Sequence, residues 1–204
     1  MNFPKGVFSI PNLLCYYRVV FIPVMIWLIY LDHIWQDQHI WWPAWLNVFL
    51  YTLAGASDFL DGYIARKLKQ ETLLGKFLDS STDKMIVGAA LMALIAYQRL
   101  TGIWMVMSII IMMREILIAG VREFMALYNV IVKISWMGKW KLAIQMGFTG
   151  FLIAGDYGDM LIPHAMLIGK IGFTVGFFLG IISGWEYLVA AWKTIRQLEA
   201  EGKT

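Results

Sequence analysis

The chain has 204 residues, 60% of them hydrophobic and only 15% charged, with 17 Lys and Arg against 14 Asp and Glu, ten Trp and a mean hydropathy of +0.65. That composition excludes an ordinary soluble domain and a disordered segment, and a net charge of +3 gives no reason to expect a nucleic acid partner. A single cysteine, Cys15, excludes an internal disulfide and reads as a buried, inert thiol.

In chain order, residues 1–11 carry Phe3, Val7, Phe8 and Ile10 among Pro4, Lys5 and Ser9, and read as a short amphipathic segment on the inner membrane surface. The alternative is a signal peptide, but the apolar run that follows is long and no small-x-small cleavage site succeeds it, so the segment is expected to be retained. Six spanning helices are predicted at roughly 12–31, 43–66, 75–97, 102–125, 136–155 and 169–192, each near the length of about 20 residues that a bilayer requires. The expected architecture is an all-α integral membrane protein, one domain over 1–204. No low-complexity tract or internal repeat interrupts it.

Basic residues fix the expected orientation. Lys5, Arg66-Lys67-Leu68-Lys69, Lys76, Arg122, Lys133, Lys139, Lys141, Lys193, Arg196 and Lys203 fall at alternate helix ends, whereas the opposite loops hold chiefly Arg99 and Lys170, together with Asp32, Asp37, Asp156 and Asp159. Both termini are therefore expected in the cytoplasm, in a multi-pass protein of the inner membrane. Trp35, Trp41, Trp42 and Trp45 on one side, and Trp136, Trp140 and Trp192 on the other, read as interfacial anchors. His33, His39 and His164 fall in or near outer loops, as solvated or interfacial groups and not ligands.

The second and third helices break the apolar pattern. Asp58, Asp61, Asp79 and Asp83 lie within 26 residues. A carboxylate at the centre of a membrane helix costs about 2.5–3.5 kcal/mol on insertion scales, less near the ends, so four together need compensating charge. Asp58 and Asp61 are spaced i, i+3, and Asp79 and Asp83 i, i+4, which puts each pair on one helix face. Two facing helices would then form an oxygen-only cage suited to Mg²⁺, Mn²⁺ or Ca²⁺, and four negative charges balance two divalent ions. Paired ions suit phosphate chemistry, because they clamp the attacking and leaving oxygens of a displacement at phosphorus. Buried polar residues that merely pair helices are the bland alternative; the cost of four intramembrane carboxylates weighs against it.

The full motif is Asp58-x2-Asp61-Gly62-x2-Ala65-Arg66-x8-Gly75-x3-Asp79-x3-Asp83. It resembles the signature of the CDP-alcohol phosphotransferases, with every fixed position of that pattern occupied. Gly62 and Ala65 leave little side chain, so a flat base and a pyrophosphate can approach the backbone; Gly75 does the same or serves helix packing, and Arg66 offers a planar fork of donors. The resemblance implies that Asp58, Asp61 and Asp79 hold two divalent ions bridged by the CDP diphosphate. It implies that Asp58, Asp61, Gly62, Ala65, Arg66, Gly75 and Asp79 bind the CDP-lipid. Asp83 resembles the family's catalytic base, which ligates one ion and accepts the proton of the incoming hydroxyl.

Helices four and five carry Arg114-Glu115, Arg122-Glu123, Lys133, Lys139 and Lys141. Arg114 and Arg122 lie about two turns apart and near one face, so both are expected beside the metals, where several cations would suit an anionic acceptor. Lys133 and Lys141 have a plainer reading as inner-surface charges near acidic headgroups; Arg114 lies deep in its helix and needs an internal partner, Glu115 or Glu123. Residues 113–126, Ser135-Trp136-x-Gly138-Lys139-x-Lys141-x3-Gln145-Met146, and Ile10-Pro11-Asn12-Leu13-Leu14 with Tyr17-Arg18-Val19 resemble the branch of the family that uses sn-glycerol 3-phosphate. That resemblance implies transfer of a phosphatidyl group from CDP-diacylglycerol to the acceptor's C1 hydroxyl, with Arg114, Arg122, Lys139 and Lys141 on its phosphate.

Two rival functions stand beside this one. Another CDP-diacylglycerol-dependent transferase, making cardiolipin, phosphatidylserine or phosphatidylinositol phosphate, differs only in acceptor. A divalent-cation transporter would need polar residues through the outer half, where Asn47 and Tyr51 are the main exceptions to an apolar pattern. A homodimer is expected from the resemblance, with Gly172, Gly176 and Gly180 as one contact face, or equally as packing within the chain.

Overall fold

The computed structural model describes residues 10–68, 73–128, 130 and 136–200; within its helices the side chains of 10–15, 58–68, 73–80, 136–140, 142 and 198 lie outside the description. Six α-helices account for nearly all of it: α1 (Ile10–Ile34), α2 (Trp42–Leu68), α3 (Leu73–Ala96), α4 (Ile103–Leu127), α5 (Trp136–Ala154) and α6 (Ala165–Ala200). Short 3-10 turns occupy Gln36–Gln38 and Gly155–Met160. Among the described residues, Tyr16–Ile34, Ile103–Leu127 and Ala165–Gln197 are long and apolar enough to cross a membrane. The chain is thus an all-helical membrane protein.

The helices begin and end within a few residues of the expected spans, except α6. It starts four residues earlier than predicted and runs eight residues past the predicted end. Asp159 explains the start, because its Oδ1 accepts the Ala165 backbone N–H at 2.7 Å and caps the first turn. The added C-terminal turns carry Lys193, Arg196 and Glu199, which a helix tolerates once its apolar part has left the bilayer.

The chain divides into two compact units. The first holds Met1–Thr101 and Met146–Gly169. In it α1 packs against both α2 and α3. Phe21, Met25 and Leu28 of α1 recur at helical spacing on the buried side, while Val20, Val24 and Trp27 form a parallel exposed stripe. Both faces are apolar because one meets protein and the other meets lipid. Asn47 donates its amide nitrogen to Met25 O at 3.1 Å inside the helix layer.

One end of this unit is closed by Arg99, which ion-pairs with the buried Asp32 and donates to the carbonyl of Ile153 at 2.6 Å. Burial pulls the Arg99 guanidinium down to about 10, with the neighbouring Asp156 and Tyr157 opposing that fall. Gly155 makes room for it: its φ is +57°, and a Cβ there would stand 2.7 Å from the guanidinium carbon. Of the residues read from the sequence as loop charges, Arg99 and Asp32 are therefore joined in one contact, while Asp37, Asp156 and Asp159 are exposed. His33, His39 and His164 are exposed as expected.

The second unit holds Gly102–Gln145 and Lys170–Thr204. Ser108, Ile111, Ile118 and Met125 of α4 are buried, as are Phe173, Tyr187 and Ala191 of α6. Gly176 and Gly180 face α5 inside the chain, where added Cβ atoms would meet Ile144 at 3.6 Å and the Lys141 stem at 3.6 Å. Of the two uses expected for that glycine face, packing within the chain is the one observed at these two positions. Trp185 and Trp192 remain exposed on α6, and Trp41 and Trp42 at the start of α2.

Candidate active site

Both halves of the acidic motif lie on continuous helices. Asp58 and Asp61 share a face of α2, and Asp79 and Asp83 a face of α3, as the spacings require. Asp58, Asp61, Gly62, Ala65, Arg66, Gly75 and Asp79 lie outside the residues whose surroundings are described, as do Lys133 and Lys139. Asp83 lies inside them.

Its carboxylate is held from α1. Arg18 donates from Nη1 to Asp83 Oδ1 at 2.9 Å and from Nε to Ser57 Oγ at 3.2 Å. The Ser57 hydroxyl in turn donates to Ala54 O at 2.8 Å, so its lone pairs are left to face the guanidinium. Ser57 directly precedes Asp58. One planar fork thus ties α2, beside the first motif aspartate, to α3 at the last. Arg18 is fully buried and Asp83 is 17% exposed, so the cation is shielded from water while the carboxylate is partly accessible.

In the sequence Arg18 stands out only through the family resemblance. Its signal was available, because an arginine about two turns into an otherwise apolar spanning helix demands an internal anion. The four carboxylates offered the only concentrated supply. Arg18 also tells what the donor set suits. Its one positive charge meets Asp83, whose carboxylate is an oxygen donor of the kind hard cations prefer.

Within the second unit, Arg114 and Lys141 come together on one carboxylate. Arg114 Nη1 donates to Glu115 Oε1 at 2.6 Å, and Lys141 Nζ reaches the same oxygen. Arg114 Nη2 donates to Ser183 Oγ of α6 at 3.0 Å. Arg114 therefore has the internal partner that its depth demanded, and of Glu115 and Glu123 it is Glu115. Lys141 departs from its plainer reading as a surface charge. It is only 6% exposed, its stem packed against Gly180, because Glu115 draws its ammonium inward. Arg122 is exposed, with its guanidinium 6.0 Å from the centre of the Tyr187 ring.

A helical membrane protein with a paired-aspartate motif on neighbouring segments and a buried cluster of cations beside it in sequence defines a class, and comparison agrees. The pattern of the CDP-alcohol phosphatidyltransferases matches residues 8–182, and the chain belongs to that family. Among its relatives is a protein of Rickettsia typhi named CDP-diacylglycerol--glycerol-3-phosphate 3-phosphatidyltransferase, 35% identical over 182 residues, which cover 89% of this chain and 96% of that protein. Proteins of the same name from Haemophilus influenzae and Bacillus subtilis are 40% identical over 149 residues and 30% identical over 194. The first alignment covers 72% of this chain and 76% of the relative, the second 93% and 98%.

Proposed function

We propose that the chain transfers the phosphatidyl group of CDP-diacylglycerol to the C1 hydroxyl of sn-glycerol 3-phosphate, giving phosphatidylglycerol phosphate and CMP. Relatives that carry this name over nearly their whole length support it. The observation in this chain that carries it is the Arg18–Asp83 contact, which orients one motif carboxylate in advance.

Asp83 is the catalytic base. It accepts the proton of the acceptor hydroxyl, whose oxygen forms a bond to the β-phosphorus as the bond from that phosphorus to the CMP oxygen breaks. The family is generally dependent on divalent metal. Asp58, Asp61, Asp79 and Asp83 are the residues that would hold two Mg²⁺ or Mn²⁺ ions, which acidify the hydroxyl and offset charge on the diphosphate. Gly62, Ala65, Arg66 and Gly75 receive the nucleotide and diphosphate. Arg114, Arg122, Lys139 and Lys141 bind the acceptor's phosphate, the arginines as forks and the lysines as point charges.

The same reading gives one catalytic domain with six spans and both termini in the cytoplasm, working as a homodimer in a bacterial inner membrane. The aspartates lie toward the cytoplasmic side, which the distribution of basic loops supports. Labelling of single cysteines from either side of sealed vesicles tests the topology.

The decisive assay uses purified protein in detergent micelles with CDP-diacylglycerol, Mg²⁺ and labelled sn-glycerol 3-phosphate. Labelled phosphatidylglycerol phosphate should form in step with CMP. Turnover only with serine, inositol phosphate or phosphatidylglycerol would reject the acceptor, and cation flux in proteoliposomes without CMP release would reject the reaction.

A further inference from the structure

The last helix contributed little to the family resemblance, yet it touches both Arg114 and Lys141. The Ser183 hydroxyl donates to Gly180 O at 3.1 Å, which commits its proton along its own helix and leaves its lone pairs for Arg114 Nη2 at 3.0 Å. Gly184 follows directly. A Cβ there would stand 2.6 Å from Arg114 Nε, so the arginine stem crosses α6 where a side chain is missing. Gly180 meets the Lys141 stem in the same way, at ordinary contact distance. Gly180, Ser183 and Gly184 are spaced i, i+3, i+4 and form one small-residue face that receives both cations.

Between the cations stands Glu115. Its Oε1 accepts from Arg114 and from Lys141, so one carboxylate oxygen bridges a guanidinium and an ammonium. An oxygen of an anionic ligand would take that same place, since fork and point charge both bind phosphate by charge-assisted hydrogen bonds. A phosphomonoester offers three such oxygens and carries more charge than the carboxylate.

We infer that Ser183 and Gly184 of α6, with Glu115 of α4, are positioning residues for the acceptor's phosphate. Ser183 and Gly184 set the direction of the Arg114 fork, and Glu115 keeps Arg114 and Lys141 paired at the point that phosphomonoester oxygens take over. This rests on the reading of Arg114 and Lys141 as the acceptor-phosphate cations. Two arginine nitrogens are aimed in advance, one at an anion and one at a neutral hydroxyl, so the fork does not have to be ordered when the acceptor arrives. The face that selects a phosphorylated acceptor therefore includes the last helix.

The test uses the full-length protein in micelles, varying glycerol 3-phosphate and CDP-diacylglycerol separately, with inorganic phosphate as a competing probe. Ser183→Ala should raise the KM for glycerol 3-phosphate about tenfold or more, about 1.5 kcal/mol or more, as expected for one lost hydrogen bond to a charged donor. Inhibition by inorganic phosphate should weaken by the same factor, with kcat and the KM for CDP-diacylglycerol within about twofold of the parent. Gly184→Ala should act in the same direction and more strongly. If Arg114→Ala raises the KM while Ser183→Ala and Gly184→Ala leave it and phosphate inhibition unchanged, the role of α6 is overturned and the Arg114 assignment stands. If Arg114→Ala itself leaves the KM unchanged, the underlying reading falls. A Ser183→Ala protein that loses kcat and affinity for both substrates together, with a lowered unfolding temperature, would show packing alone and would also overturn the inference.

Discussion

Arg18 and Asp83 are 65 residues apart and meet at 2.9 Å, with the guanidinium fully buried and its Nε bonded to the neighbour of Asp58. Removing one member of a buried pair leaves the other charge uncompensated, which costs about 3–5 kcal/mol. The same contact fixes where an oxygen of the proposed base points. Arg18 is thus tied to stability and turnover together.

Arg18→Met should therefore lower the unfolding temperature in detergent and reduce kcat by about tenfold or more, the smallest loss expected when a catalytic carboxylate loses its orienting donor. Arg18→Lys keeps the charge but not the fork, and should recover stability better than kcat. Parental kcat in Arg18→Met would show that the contact does not orient the base.

Asp83→Asn preserves shape and removes the proton acceptor. Turnover should fall by about a hundredfold or more, the range of general-base contributions, while binding of CDP-diacylglycerol remains measurable. Parental turnover in this variant would withdraw Asp83 as base.

Arg122 is exposed and rests near the Tyr187 ring, so its truncation should not unfold the protein. Arg122→Ala should raise the KM for glycerol 3-phosphate by about fivefold or more with kcat little changed, the signature of lost ground-state binding. A constant KM would remove Arg122 from the phosphate site.

Chelation with EDTA should abolish CMP release, and added Mg²⁺ or Mn²⁺ should restore it, because four carboxylates need cations to approach a diphosphate. Undiminished release in chelator would exclude the two-ion reading.

Gly155 makes room for Arg99. Its positive φ and the guanidinium of Arg99 at 2.7 Å from an added Cβ make Gly155→Ala costly by about 1–3 kcal/mol. Calorimetry should show a lower unfolding temperature, with the KM values for both substrates retained in the folded fraction. An unchanged unfolding temperature would mean that Arg99 moves aside freely.

Six helices, their approximate ends and the aspartate motif were legible in the sequence because each depends on local spacing. Hydrophobic runs of bilayer length report spans, and i, i+3 or i, i+4 carboxylates report a shared face wherever the backbone is helical. The depth of Arg114 likewise announced a nearby anion, and Glu115, its immediate neighbour, supplies it.

What the tertiary structure alone decided is which distant groups satisfy one another. Arg18 could have found any of several acids, and packing of α1 on α3 chose Asp83. Lys141 would sit at the surface by its position in the chain, yet it turns inward to Glu115, 26 residues away, against a glycine of α6. Ser183 became a partner of Arg114 across 69 residues for the same reason. In a medium without water a buried charge must find its counterpart within the protein, and the sequence states that need locally while only the packing of helices selects the residue that meets it.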